Sequence, residues 1–204
     1  MDLRGGLVAL CVFASACDPR DGRPPRPVAD SAPREPRTAG SGATSAKPVR
    51  LPGRCIVETP PEPARPPAEP ARICPPDDAS PFELERATVG FEGSTATVSV
   101  ERAVTNDHRM RGLMFRTYMP ENEGMLFEFE EERDITFWMK NTCISLDMIF
   151  VAADGLIVGI EENTPTLTTQ SFAPGVCKSR YVLEVNAGWA RKNGVRAGMR
   201  VKLP

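Results

Sequence analysis

The sequence predicts an α+β domain of short strands with two short helices, confined to residues 82–204 and preceded by a long tail that cannot build a core of its own. Three observations predict it. Of the 21 prolines, 17 fall between Cys17 and Phe82, whereas 12 of the 13 aromatic residues lie from Phe82 onward. Within residues 82–204 the apolar positions recur mostly with the two-residue period of a strand, and helical spacing shows only in two short stretches. The 123 residues of this part are enough to bury one proper core.

Leu84–Phe91 and Thr95–Val104 read as two strands broken at Glu92-Gly93-Ser94, with Val98 and Val100 alternating with Ser99 and Glu101. Thr105 is a fair N-cap for a short helix over Asn106–Phe115, and Asp107 falls in the first turn, where a negative charge opposes the helix dipole. Met110, Leu113 and Met114 form its apolar face, with Arg109, Arg111 and Arg116 crowded beside it. Gly112 lowers helix propensity there and permits close packing. Arg111 and Arg116 are five positions apart and do not share a face, so one suits a structural role and the other a site. Pro120–Gly124 is a turn, Gly124–Phe129 a strand, and Glu130–Asp134 an acidic, solvated corner.

Ile135–Val151 is the most apolar and aromatic stretch of the chain, yet it carries Trp138, Lys140, Asn141, Thr142 and Asp147. Read as two strands around an interruption at Asn141–Ser145, it forms a hairpin in which register decides which side chains meet. Phe137 opposite Phe150 and Met139 opposite Met148 bring four apolar side chains together. The same register sets Lys140 opposite Asp147 and Trp138 opposite Ile149. The pair is then either a structural ion pair at the end of a hairpin or part of a site.

Ala153-Asp154-Gly155 closes a tight turn, and Leu156–Ile160 continues the sheet. Glu161–Lys178 is long, irregular and Thr-rich, a length at which loops are often functional. Arg180–Val185 is a strand holding Glu184 among apolar neighbours. Ala187–Asn193 is a short helix ended by Gly194 at the C′ position, and Met199–Leu203 is a final strand after a turn at Arg196–Gly198.

Five blocks within this domain carry a family resemblance: Arg111-Gly112-Leu113-Met114-Phe115-Arg116, Gly124-Met125-Leu126-Phe127, Phe137-Trp138-Met139-Lys140-Asn141-Thr142, Leu146-Asp147-Met148-Ile149-Phe150 and Tyr181-Val182-Leu183-Glu184. In order and spacing they resemble the signature blocks of the bacterial and archaeal domain-of-unknown-function family 192, over roughly Val98–Leu203. The resemblance implies a compact α+β domain with a strongly curved, mainly antiparallel or mixed, barrel-like sheet, usually exported, and implies no established activity. Cys143 and Ser145 depart from the family pattern, where apolar residues or proline are expected, which suggests a local disulfide.

The first 17 residues resemble a bacterial lipoprotein signal: Arg4, an apolar run over Leu7–Ala16, then Ala14-Ser15-Ala16-Cys17. Ala14 replaces the leucine usual in that motif. The resemblance implies acylation of Cys17 and a membrane-anchored protein of the cell envelope; an ordinary cleaved signal is the alternative. The apolar run is too short for a permanent transmembrane helix. Residues 18–81 hold 10 basic and 9 acidic residues and almost no apolar content, and read as a disordered or polyproline-like spacer. The rest of the chain carries 14 basic and 17 acidic residues, a balance not basic enough to suggest a nucleic-acid surface.

Beyond Cys11 and Cys17, the four cysteines Cys55, Cys74, Cys143 and Cys177 form an even set with three possible connectivities. Sequence separation favours Cys55–Cys74 and Cys143–Cys177, and no Cys-x-x-Cys spacing favours a metal instead.

The chemistry on offer is limited. His108 is the sole histidine, and there is neither a glycine-rich phosphate loop nor a metal-ligand spacing, so no cofactor is implied. The candidate binding residues are Arg111, Arg116, Trp138, Lys140, Asn141, Thr142, Asp147 and Glu184, an indole with amide, hydroxyl and charged neighbours that suits a small polar ligand. These residues point to an envelope-tethered, non-catalytic module that binds a small polar or saccharide ligand or an envelope partner. The alternatives are an enzyme using Lys140, Asp147 or Glu184 as acid–base groups, and a soft Cu(I) site from Met125, Met139 or Met148.

Overall fold

A computed structural model of the chain describes residues 49–51 (backbone only), 53–77 and 82–204. The signal-like segment, Cys17 and the spacer up to residue 48 lie outside the described residues. A two-stranded antiparallel ribbon, β1 (Val49–Leu51) and β2 (Arg54–Ile56), precedes the main sheet. That sheet is built from β3 (Arg86–Phe91), β4 (Thr97–Ala103), β5 (Glu123–Arg133), β6 (Leu146–Val151), β7 (Ile157–Thr164), β8 (Ser179–Asn186) and β9 (Val201–Lys202). Two short helices, α1 (Asn106–Arg111) and α2 (Trp189–Lys192), complete it. The strand order is β7-β6-β8-β5-β4-β3-β9; the β4–β5 pair, joined through α1, is parallel and the others are antiparallel.

The sheet curls until its two ends meet, giving a half-barrel. Ile157 N–H donates to the Met199 carbonyl (2.9 Å), Gly198 N–H to the Ile157 carbonyl (2.9 Å) and Val201 N–H to the Gly155 carbonyl (2.8 Å), joining the β6–β7 turn to the strand at the opposite end. Two glycines permit the curl. At Gly124, at the start of β5, a Cβ would stand 2.4 Å from the Glu184 carbonyl oxygen; at Gly155, with φ +83°, it would stand 2.7 Å from that of Val201. The face turned inward buries Val89, Phe91, Val98, Leu126, Ile149 and Leu183, and α2 closes it with Trp189 against Phe91.

β6 is buried along all six residues. Leu146, Met148 and Phe150 serve the outer face while Asp147, Ile149 and Val151 serve the inner one. A strand buried on both faces and flanked by β7 and β8 cannot also pair with residues 135–140. The expected 135–151 hairpin is therefore absent. Phe137 instead bridges Phe172, through N–H···O bonds of 2.9 and 2.8 Å, and the rings of Phe137 and Phe150 meet edge-on at 6.3 Å across layers. Aromatic spacing that suggested cross-strand neighbours reflects a segment packed over the sheet.

Thr105 caps α1 as expected, accepting from His108 N–H at 3.2 Å, and Gly194 follows α2 in the left-handed region. The first helix is shorter than its apolar spacing suggests. Gly112 and Phe115 take positive φ, and Phe115 N–H bonds the Asn141 carbonyl (2.7 Å) instead of continuing the helix. β5 runs four residues past Phe129, through the acidic corner, to Arg133.

The largest correction concerns residues 53–77, expected to lack fixed structure. They form a strap bound to the half-barrel. Val57 N–H donates to the Val158 carbonyl of the edge strand β7 (2.8 Å), and Ala71 N–H to the Cys143 carbonyl (2.8 Å). Arg191 donates to the carbonyls of Pro60 and Pro61, while Arg65 and Asn163 exchange side-chain-to-backbone bonds of 2.9 and 2.7 Å. Two disulfides fasten the strap, Cys55–Cys177 and Cys74–Cys143, with Cα separations of 5.4 and 5.7 Å. All four expected cysteines are thus paired, but across the strap and not within neighbouring segments. Sequence proximity favours the shortest loops, whereas docking sets each thiol against a distant partner. The strap also covers β7, whose outer edge would otherwise be open to another strand.

Candidate functional site

A cavity of about 580 Å³ opens on the outer face between α1, the far half of β5 and the segment 136–142. Its floor is Glu184, which projects from β8 between Met125 of β5 and Met148 of β6 and is 4% exposed. Among the described residues no group hydrogen-bonds to its carboxyl. Burial alone pushes that carboxyl up to about 8, so it is mostly neutral at pH 7. The carboxyl lines the cavity without a protein partner among the described residues, which leaves it free to meet a polar group of a ligand there.

The walls are aromatic. Phe127 and Phe137 meet edge-on at 4.8 Å, and Phe129 and the half-exposed Trp138 stand towards the mouth. Three arginines line the opening. Arg109 donates to the carbonyls of Val104 (2.6 Å) and Glu128 (2.7 Å) and lies over Phe129. Arg111 pairs with Asp77 of the strap and lies over Phe115. Arg133, exposed at the end of β5, also lies over Phe129 and has no carboxylate within ion-pair distance among the described residues.

Of the eight residues expected at the site, four line this cavity: Arg111, Trp138, Thr142 and Glu184. The other four do not. Arg116 forms an ion pair with Glu101. Lys140 is exposed, its ammonium 5.4 Å from the Trp138 ring centre, and Asn141 takes φ +57° in the turn. Asp147, expected opposite Lys140, lies on the other face of the sheet. It accepts from the backbone N–H groups of Asn163 (2.9 Å), Gly188 (3.1 Å) and Ala190 (3.0 Å), which ties β7 to the start of α2. Burial raises its carboxyl above the ordinary range, a shift that those three N–H groups hold in check. Met125, Met139 and Met148 are fully buried among Leu and Phe in the outer-face core. Sequence reading missed Arg133 and Phe129 as site residues. Phe129 keeps the two-residue period of Phe127, but the β5 register shifts between Glu128 and Arg133, so the period in the sequence does not by itself place Arg133.

The curled mixed sheet with this outer pocket defines an α+β half-barrel domain. Residues 87–203 match the family model DUF192, "Uncharacterized ACR", and the chain belongs to this domain-of-unknown-function family. Among solved structures it is similar to a "putative transcription regulator" from Sinorhizobium meliloti 1021, with 37% identity over 60% of this chain and 97% of that one, TM-score 0.58. It is similar also to a protein of unknown function from Novosphingobium aromaticivorans DSM 12444, with 33% identity over 59% of this chain and 86% of that one, TM-score 0.56. No curated protein matches the chain. The two disulfides fit an oxidising, exported environment. Among the described residues no helix is long and apolar enough to cross a membrane.

Proposed function

We propose that this protein is an envelope-tethered binding module, acylated at Cys17, whose outer-face cavity takes a small polar ligand. The observation that carries this reading is the partnerless carboxyl of Glu184 at the floor of a ligand-sized cavity. A bound ligand supplies the missing hydrogen bond. Thr136, exposed at the cavity mouth, allows occlusion without touching the core. Ligand-detected NMR against a mixed set of saccharides, organic acids and amines should find a binder whose signal is lost in Thr136→Phe. Undiminished binding in that variant, or no binder of any class, overturns the reading.

A second reading has one observation in its favour: a carboxyl held near 8 is poised to give and take a proton at neutral pH. Glu184 would act without Lys140 or Asp147, which stand outside the cavity. Turnover of the bound molecule that disappears in Glu184→Gln would select catalysis over binding. The tether and the strap are read by one measurement. A non-reducing peptide map of protein from the native membrane fraction should contain the Cys55–Cys177 and Cys74–Cys143 peptides and an acylated Cys17 peptide. An unmodified mature N-terminus would remove the anchor, and Cys55–Cys74 peptides would remove the strap geometry.

A further inference from the structure

Taking the Glu184 cavity as a ligand site, as proposed above, we infer that its ligand is a small organic anion with a flat apolar body: a carboxylate held at the arginine mouth, with an acceptor atom at the far end reaching Glu184. Charge selects the anion. Among the described residues Arg109, Arg111 and Arg133 line the cavity and its one acid is the buried Glu184, so an ammonium ligand would enter against three guanidiniums. Of the three, Arg109 is occupied by backbone carbonyls and Arg111 by Asp77, whereas Arg133 has no carboxylate partner among the described residues. Arg133 is therefore the group that meets the carboxylate, in the bidentate geometry guanidinium favours.

The walls select the body. Phe127, Phe129, Phe137 and Trp138 give the cavity an aromatic lining that suits a flat group. The neutral polar lining groups are Asn106, Thr136, Thr142 and Ser171, and since Asn106 already accepts from Arg109 and Thr142 bonds the Lys140 carbonyl, they serve a many-hydroxyl sugar less well than the rings serve a flat body. The floor selects an acceptor. Met125 and Met148 flank Glu184 on the neighbouring strands, no second acid lines the cavity among the described residues, and the other charged groups lining it, on α1 and at the end of β5, are the arginines. The protonated carboxyl thus has a hydrogen to donate.

Isothermal titration of the full chain with 4-methoxybenzoate, 4-methoxybenzamide, 4-methoxybenzylamine, unsubstituted benzoate and N-acetylglucosamine tests this. Methoxybenzoate should bind at pH 6 at least about tenfold more tightly than the amide, as a charge-assisted pair at Arg133 predicts, and the amine should not bind. Its affinity should fall about tenfold by pH 9, when Glu184 loses the proton it donates and gains a charge that repels the ligand. Glu184→Gln, whose amide donates but cannot ionise, should flatten that pH profile. Glu184→Leu should erase the preference for methoxybenzoate over benzoate, and Arg133→Gln should weaken both acids while keeping that preference. Binding of the amine that strengthens with pH and is lost in Glu184→Gln would overturn the inference in favour of a cation site. N-acetylglucosamine bound in place of the acids would overturn it and leave the cavity reading standing. Failure of every probe, together with no hit in the mixed NMR set, would remove both.

Discussion

Replacing Asp147 with alanine is expected to lower the unfolding free energy by about 3–5 kcal/mol, read as a lower urea midpoint at unchanged slope. The side chain is fully buried, and its two oxygens accept three backbone N–H groups from two elements. Truncation leaves three donors unsatisfied, those of Asn163 and Ala190 buried and that of Gly188 partly so, and also frees the start of α2, whose Trp189 and Ala190 close the inner core. Asp147→Asn should fall between, because one amide face presents a donor to donors. Lys140→Met is the control. That ammonium is exposed and, among the described residues, meets the Trp138 face alone, so its loss should change stability by no more than about 0.5 kcal/mol. Equal losses for Asp147→Ala and Lys140→Met would restore the ion pair that the structure separates.

Glu184→Gln should do the opposite and stabilise the ligand-free protein, in a pH-dependent way. The carboxyl titrates at about 8 in the folded chain against 4.5 when unperturbed. A raised folded value means that the unfolded chain releases its proton first, so stability is fully present below about 4.5, falls as pH rises towards about 8 and then levels off. At pH 7 the wild type should already have lost on the order of 3 kcal/mol that the amide variant keeps. Asp147 and Glu161 are also held high, chiefly by burial, but they titrate in both proteins and cancel from the difference. Thermal melts of the pair from pH 4 to 9 should diverge with rising pH. Parallel profiles would mean that Glu184 is solvated or paired, and that the cavity floor is not as described.

These two acids show what was legible in the sequence. The alternation of Val98 and Val100 with Ser99 and Glu101, the Thr105 cap and the Gly194 stop are local signals, and the structure places each as read. Glu184 stood out for the same reason, a carboxyl in an apolar strand. Asp147 was placed wrongly because hydrophobic matching cannot distinguish a neighbour in the same sheet from one in the layer above, and Phe137 meets Phe150 by the second route. The strap escaped for a different reason. Composition measures whether a segment can bury a core of its own. Residues 53–77 cannot, and are held by backbone hydrogen bonds, arginine contacts and two disulfides to a surface encoded mostly 69 to 138 positions later.

That arrangement has a consequence for how the chain matures. The strap is synthesised first and fastened last: Cys55 waits for a thiol 122 residues downstream, and Cys74 for one 69 residues downstream. Until then the nearest thiol available to either is the other, and loop-closure entropy favours that short ring. A nascent chain that meets an oxidant early therefore closes Cys55–Cys74, a bond absent from the finished fold. Reaching the native pairs then requires attack of the Cys143 or Cys177 thiolate on that ring, which converts it into one native bond and frees a thiol, and a further oxidation that joins the two remaining thiols. The yield of mature protein should accordingly depend on a disulfide isomerase or a thiol buffer, and only weakly on how fast the chain is oxidised.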